Sequence, residues 1–221
     1  MADLDLRPER RERLAADHRA LLTATVPGSQ AALRGSLSSG TADSYSDVDL
    51  TWVVPDDMFT AAVASAAAIR SVVPVSSLRL DPDLALSDRR RLIFVRLAGM
   101  PLFWRVDLDI RAASVAADDD YDVANPSARN QAGWSRPASA IENAVAAIKA
   151  AARSQTCTAD GLLARGCQRI GLDPSPIADL PAEIIRLADS CAALEPDLAT
   201  LAGEVHQVVS AFVRAGLISG S

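Results

Sequence analysis

The feature that most constrains this 221-residue chain is a glycine-serine bend followed, after ten residues, by two aspartates at the start of a strand. Gly35 and Ser36 end the short apolar run 31–34. Glycine lets the backbone approach a ligand closely, and the serine adds a hydroxyl donor. Residues 37–46 are small and polar, which predicts a loop, whereas the β-branched and aromatic residues of 48–54 predict a strand.

The two aspartates, Asp47 and Asp49, are separated by one residue. Side chains alternate along a strand, so both carboxylates are expected on the same face. Their repulsion would raise one pKa unless a cation lies between them, and carboxylate oxygens suit Mg²⁺. We interpret the pair as a magnesium site. The alternative is a solvated Asp-x-Asp at the entrance of a strand.

Two further aspartates lie near the end of a second pair of β-rich runs. Two β-rich runs, 91–97 and 101–110, are predicted as strands joined by a short hairpin connection at 98–100. Apolar and acidic residues alternate at the end of the second run, so Asp107 and Asp109 share a face. A strand with one wet face would also explain this alternation. We favour Asp107 as the third ligand or base, and Asp109 stays the alternative because spacing alone does not separate them.

The pattern of Gly35, Ser36, Asp47 and Asp49 resembles the signature of the nucleotidyltransferase superfamily whose best-known member is DNA polymerase beta. Within that superfamily it is similar to the small bacterial aminoglycoside nucleotidyltransferases. The resemblance covers roughly the first 110 residues. Arg34 departs from the pattern, because many members carry an aromatic or aliphatic residue before the glycine. This arginine would place a cation near the phosphates.

The resemblance implies transfer of a nucleoside monophosphate, with ATP as the expected donor, to a hydroxyl of a small molecule. Two magnesium ions bridged by Asp47 and Asp49 would hold the triphosphate and stabilise the pyrophosphate leaving group. Asp107 would bind the metal nearest the acceptor and favour deprotonation of its hydroxyl. An aminoglycoside-type antibiotic is the acceptor that the family suggests.

The predicted domains are a catalytic domain over 1–125, a linker over 126–137 and a helical domain over 138–221. The fold class is therefore α+β, with a nucleotidyltransferase-type mixed, mostly antiparallel sheet flanked by helices and followed by a C-terminal antiparallel helical bundle. Further elements of the catalytic domain are predicted at 8–22 (helix), 56–73 (helix) and 75–80 (strand). Helices of the C-terminal domain are predicted at 138–153, 158–170, 177–194 and 197–215.

Lys149 is the only lysine among 22 basic residues, and it lies on a helix made otherwise mostly of Ala, Ile and Val. A compact ammonium suits a single phosphate oxygen. In the resembling family, a lysine on the first helix of the C-terminal domain reaches the nucleotide phosphates. We therefore assign Lys149, together with Gly35 and Ser36, to the triphosphate; the alternative is a surface lysine. Glu142, two turns earlier on the same helical face, is a candidate to orient or deprotonate the acceptor.

Composition narrows the class of partner and the compartment. A net charge of −6 and a pI of about 4.9 argue against nucleic acid as a partner and suit a cationic small molecule. No apolar stretch is long enough to cross a membrane, and the first residues lack the order of a signal peptide, so a cytoplasmic location without membrane partners is expected. Three widely spaced cysteines form neither a zinc nor a disulfide pattern, which predicts small core residues. The oligomeric state is left open.

Two histidines, an acidic run and two tryptophans are interpreted as follows. His18 and His206 are predicted to be structural or surface residues. The acidic run 118–120 is predicted as a solvated loop. Trp104 and Trp134 would either stack on a substrate ring or belong to a core.

Two other functions stay open beside small-molecule transfer. The acceptor could be a protein, as in antitoxin-like nucleotidyltransferases that modify a partner toxin. The chain could also be a catalytically silent nucleotide-binding module, which predicts the loss of a carboxylate. All three acidic positions are filled in this sequence.

Overall fold

The computed structural model describes residues 6–66, 74–173 and 179–218. The chain divides into two compact units, Met1–Trp134 and Ser135–Ser221. The boundary between them falls inside the range 126–137. Strands occur in the first unit, and the described part of the second unit is built from helices. The predicted α+β class is therefore confirmed.

The first unit contains a five-stranded sheet with the strand order β1-β2-β5-β4-β3. Strands β2 and β5 are parallel, and the other three pairs are antiparallel. The predicted mixed, mostly antiparallel sheet is thus confirmed. The elements of this unit are α1 (Pro8–Thr25), β1 (Gln30–Leu33), α2 (Gly35–Ser39), β2 (Val48–Val54), α3 (Phe59–Ser65), β3 (Val75–Leu80), β4 (Arg90–Leu97) and β5 (Val106–Ala112).

The core of the first unit lies on one face of this sheet. Alternate residues of β2 and β5 are fully buried there, because side chains on a strand point to opposite faces in turn. Helices α1 and α3 add Leu14, Leu22, Phe59 and Ala62 to the same cluster. The intervening residues of β2 and β5, which are polar apart from Val53, lie on the other face, and the aspartates are among them. The buried strand residues are Val48, Leu50, Trp52, Val54, Val106, Leu108, Ile110 and Ala112.

The connection between β4 and β5 is longer than the predicted hairpin at 98–100. Strand β5 covers Val106–Ala112, and the first half of the predicted strand 101–110 is a turn in which Trp104 N–H donates to the Pro101 carbonyl. Phe103 and Trp104 are buried in this connection. Aromatic residues are favoured wherever they can be packed, so their presence does not by itself indicate a strand.

The predicted helix 56–73 begins differently in the structure. A single 3₁₀ turn, Asp56–Met58, precedes α3, and 67–73 lies outside the described residues. The predicted linker 126–137 also begins with a 3₁₀ turn, Pro126–Ala128. Leu86 N–H donates to the Ala128 carbonyl (2.7 Å), and Ala128 is buried, so the start of the predicted linker is fastened to the first unit.

In the described part of the second unit, residues 135–173 and 179–218, α4 packs against the other three α-helices. Gly166 on α5 allows α4 and α6 to pack closely against it, because a Cβ there would lie 2.6 Å from Leu187 Cδ2 and 3.2 Å from the Ala140 carbonyl. The described helices are α4 (Arg136–Ala152), α5 (Thr156–Ile170), α6 (Leu180–Leu194) and α7 (Ala199–Arg214).

Isolated histidines and cysteines occupy several environments. His18 is buried in α1, where its Nδ1–H donates to the Leu14 carbonyl (2.7 Å), and burial lowers its pKa. His206 contacts Asp189 at the surface of the second unit. Two of the three cysteines are buried as predicted, but Cys157 is exposed, which corrects its assignment to a core. Across the ranges that the structure describes, no helix combines the length and the apolar character needed to cross a membrane.

Candidate active site

The parallel pairing of β2 with β5 places two aspartates side by side. Asp49 and Asp107 are Cα partners in this register, and Thr51 is the partner of Asp109. Neighbouring strands lie about 4.8 Å apart, and register partners in a sheet present their side chains to the same face. The structure therefore brings together Asp49 and Asp107 on the face opposite the apolar core, as the alternation predicts.

Asp47 is held just before β2 by a braced turn. The Asp43 carboxylate accepts bonds from Tyr45 N–H and from the Ser46 hydroxyl, both at 3.0 Å. Trp104 Nε1–H donates to the Ser44 carbonyl (3.1 Å). This bond and the burial of the indole place Trp104 in the protein interior, so it is not a stacking platform for a substrate.

Gly35 lies directly against the Asp49 carboxylate. Its φ is +56°, and a Cβ built on it would overlap Asp49 Oδ2 and lie 3.2 Å from Asp49 Cγ. The Arg34 N–H donates to the Asp49 carbonyl (2.9 Å), which fixes the bend to β2. Only glycine meets both demands, the positive φ and the close approach. Gly35 and Ser36 also open the short helix α2, so part of the predicted loop 37–46 is helical.

Asp107 forms a bidentate ion pair with Arg105. The Nε and Nη2 atoms of the guanidinium lie 2.6 and 2.7 Å from the two carboxylate oxygens. Burial nevertheless raises the pKa of Asp107 to about 6; Arg105 opposes the rise, and the charges of Asp47 and Asp49 add to it. The charges of Asp47 and Asp49 therefore act on Asp107, as expected for acidic groups on one face of the sheet.

Asp109, two residues further on, has a different environment. It is 2% exposed and is surrounded by three arginines from three parts of the sheet. Arg34 Nη1, Arg111 Nη2 and Arg90 Nη2 lie 2.5, 2.8 and 3.1 Å from Asp109 Oδ2. These donors engage the carboxylate where it lies in the interior, so the geometry favours Asp107 over Asp109 as the acidic group of the site.

The side chain of Arg34 points to acidic residues of its own unit, which differs from the expected placement near phosphates. Besides Asp109 it contacts Asp119 (3.5 Å) in the acidic run 118–120. Asp119 also pairs with Arg111 (2.8 Å), whose hydrogen bond and charge lower the pKa of that carboxyl. The predicted solvated loop is therefore docked on arginines, although the Asp119 side chain is 77% exposed.

Lys149 and Glu142 belong to α4 of the second unit, whereas the three carboxylates belong to the first. Both side chains are half-buried, and Lys149 lies in the last turn of the helix. Their assignment to the triphosphate and to the acceptor stays a prediction. The same holds for stacking by Trp134, the last residue of the first unit, which is half-buried.

Arg105, Arg111 and Phe94 are site residues that the sequence reasoning missed. Phe94 is the Cα partner of Asp107 on β4. The two arginines continue the alternation of β5, in which charged residues occupy 105, 107, 109 and 111. This alternation of charges is the sequence signal that could have revealed the two arginines, because side chains at every second residue of a strand lie on the same face and can pair.

The donor set fits Mg²⁺ in its chemistry. Three carboxylates offer hard oxygen ligands, and the absence of a side chain at Gly35 gives the Asp49 carboxylate the space that it occupies beside the bend. Within residues 6–66, 74–173 and 179–218, no three His, Cys, Asp or Glu side chains already stand in a geometry that would hold a metal ion. Arg105 engages both oxygens of Asp107, so metal binding would have to displace or rearrange that pair.

No protein-family model matches this chain, and no curated protein matches its sequence. Its function must therefore be inferred from the residues and geometry of the site.

Proposed function

We propose that this protein is a magnesium-dependent nucleotidyltransferase that transfers a nucleoside monophosphate, AMP from ATP in the first instance, to a hydroxyl of a small molecule. The observation that carries this proposal is the contact between Gly35 and the carboxylate of Asp49, which is itself paired in register with Asp107. A bend without a side chain beside paired carboxylates suits a triphosphate that approaches together with its metal.

In this proposal Asp47, Asp49 and Asp107 hold the magnesium, which neutralises charge on the triphosphate when it is bound. The backbone of Gly35 and the hydroxyl of Ser36 face the phosphates. The acceptor oxygen forms a bond to the α-phosphorus, the bond from that phosphorus to the bridging oxygen breaks, and pyrophosphate leaves. These residues act by positioning and by charge, without a covalent intermediate.

Asp107 is the group best placed to receive the acceptor proton. Burial of Asp107 and, to a smaller extent, the charges of Asp47 and Asp49 raise its pKa to about 6, closer to neutrality than that of an ordinary aspartate. A base works best when its pKa lies near the working pH. In the metal-free protein Arg105 orients the carboxylate by two hydrogen bonds, and this pair would have to rearrange when Asp107 binds the metal.

The proposal extends to the fold and to the second unit. The segment β1-α2-β2 with β5 beside it is the nucleotidyltransferase-type part of the sheet, and α4 to α7 form the antiparallel bundle. Lys149 contacts the triphosphate, and Glu142 is a candidate to orient the acceptor. The enzyme acts in the cytoplasm, and the family resemblance suggests an aminoglycoside-type antibiotic as the acceptor.

Calorimetry with a non-hydrolysable ATP analogue tests the proposal, with and without Mg²⁺. We expect magnesium-dependent uptake by the wild-type chain and its loss in Asp47→Asn. Asp56→Asn is the matched control, because Asp56 pairs with Arg89 (2.7 Å) away from the three carboxylates. Uptake that is independent of magnesium, or equal in both variants, would refute the proposed metal site.

Labelled ATP then identifies the acceptor class. With Mg²⁺ and a panel of antibiotics and polyols, small-molecule transfer predicts label on a member of the panel. Label on a polypeptide would instead support a protein acceptor. Nucleotide uptake without any transfer, in a cell extract as well as with the panel, would indicate a silent binding module.

A further inference from the structure

A row of four side chains crosses the polar face of the sheet and changes charge along its length. Asp49, Asp107, Phe94 and Arg79 are successive Cα partners on β2, β5, β4 and β3. Register partners in a sheet present their side chains to the same face. This charged row therefore begins at two carboxylates, passes an aromatic ring and ends at a guanidinium.

The ring of Phe94 is accompanied by two arginines. The guanidinium carbon of Arg105 lies 4.7 Å from the ring centroid, and that of Arg79 lies 5.5 Å from it. Both distances are within the range of a cation–π contact. Phe94 and Arg79 are half-buried, so the ring and the guanidinium both keep part of their surface accessible.

The positive end of the charged row contrasts with the chain as a whole, which carries a net charge of −6. Arg96, the Cα neighbour of Ser77 on β3, also belongs to this face of β4, but it is buried and donates to the Leu102 carbonyl (2.6 Å), so Arg79 is the arginine at the end of the row. A polycation lying along this row would meet like charges at its β3 end, whereas an anion would be attracted there.

We propose that the charged row is the acceptor-binding surface and that the acceptor carries a phosphate, which Arg79 binds at the β3 end. The inference rests on the proposed transfer in one respect, namely that Asp107 is the carboxylate beside the acceptor hydroxyl. Arg79 lies two strands from Asp107, so the hydroxyl and the phosphate of the acceptor are roughly 5 to 10 Å apart. A sugar phosphate or polyol phosphate has these dimensions, and a polycationic aminoglycoside lacks the required charge.

Ribose 5-phosphate and ribose are the probe pair, because they differ only in the phosphate. Each is titrated into the ¹⁵N-labelled full chain, with and without Mg²⁺ and a non-hydrolysable ATP analogue, while the amide signals of Asp107, Phe94 and Arg79 are followed. We expect ribose 5-phosphate to move these signals at concentrations at least about tenfold lower than ribose, as a charge-assisted bond to a guanidinium would produce.

Two substitutions connect this preference to the charged row. Arg79→Gln should abolish the advantage of the phosphorylated sugar and leave the response to the ATP analogue unchanged. Arg79→Lys should restore part of the advantage, because the charge returns without the planar fork. Arg89→Gln is the matched control, since Arg89 pairs with Asp56 outside the row and its loss should change nothing.

Four results would overturn the inference: an equal response to both sugars, no response to either, an advantage that survives Arg79→Gln, or kanamycin moving the same signals at lower concentration than ribose 5-phosphate. The proposed transfer fails separately. If the ATP analogue gives no magnesium-dependent response, nucleotidyl transfer is refuted, while the comparison of the two sugars still reports on the charged row.

Discussion

Gly35 in the first unit and Gly166 in the second both allow a close approach, but to different neighbours. Gly35 lies against the charged carboxylate of Asp49, whereas Gly166 lies against Leu187 and the carbonyl of Ala140. The first contact holds a bend beside clustered like charges, which costs stability. The second closes the packing of α5 against two other helices. The glycine of the first unit therefore accommodates an energetically unfavourable cluster of like charges, whereas the glycine of the second unit allows close helix packing.

The largest effect is expected from a substitution of Gly35. Gly35→Ala should weaken magnesium-dependent uptake of an ATP analogue by at least about 100-fold, roughly 2.8 kcal/mol, because the new Cβ overlaps Asp49 Oδ2. Calorimetry measures the loss. Gly40→Ala is the control, since Gly40 shares the positive φ (+70°) but has open space around its Cβ position. Equal losses in the two variants would show that backbone strain, and not the contact with Asp49, matters.

Neutralising Asp107 tests how much the free energy of unfolding is lowered by the burial of this carboxylate near Asp47 and Asp49. A pKa raised to about 6 means that the folded state holds this proton more tightly than the unfolded chain does. Stability is therefore lost as the pH rises from about 4 to about 6, and it stays lower above that range. Asp107→Asn should raise the free energy of unfolding by about 1 to 3 kcal/mol at pH 8, with little gain near pH 4. Urea unfolding at both pH values measures it, and a variant less stable than wild type at pH 8 would contradict the expected direction.

The packing of the second unit is tested by two glycines of one helix. Gly166→Ala should lower the free energy of unfolding by about 1 to 3 kcal/mol, because a Cβ would lie 2.6 Å from Leu187 Cδ2. Gly161→Ala, on the same helix with nothing within 4 Å of its Cβ position, should instead raise it by about 0.5 to 1 kcal/mol. Thermal and urea unfolding measure both changes. Stabilisation by both substitutions would mean that α4, α5 and α6 are not closely packed at Gly166.

The smallest effect is expected at the surface of the second unit. His206 Nε2 lies 2.7 Å from Asp189 Oδ1, and both side chains are largely exposed. Exposed ion pairs contribute little, so His206→Ala should change the free energy of unfolding by less than about 0.5 kcal/mol. A loss above about 1 kcal/mol in urea unfolding would show that this contact does more than cover the surface.

Regular alternation made much of the sheet predictable. Strands β2 and β3 occupy the predicted ranges 48–54 and 75–80, because the hydrophobic period or the β-branched composition is clear there. The predicted start of β5, at residue 101, was wrong, because the buried aromatic residues Phe103 and Trp104 belong to a turn. Helix α2 was missed because its serine-rich sequence is typical of a loop.

The candidate site was predictable in its residue types and not in its pairing. Asp107 and Asp109 have the same place in the alternation, so the sequence alone does not distinguish them. What separates them is the set of arginines that fold around Asp109, which come from β4, from β5 and from the bend that follows β1. Such partners depend on strand order and register, which are tertiary properties.

The parallel pairing of β2 with β5 has a consequence for how the protein matures. Asp49 and Asp107 are distant in the chain, and β3 and β4 lie between them. The long loop that contains these strands must close before β2 and β5 can pair. Contacts of high sequence separation carry a large loop-closure entropy and form slowly. A ribosome-bound fragment that ends before β5 would carry the bend and the first acidic pair but no third carboxylate. The set of three carboxylates should therefore be complete only when β5 joins the sheet.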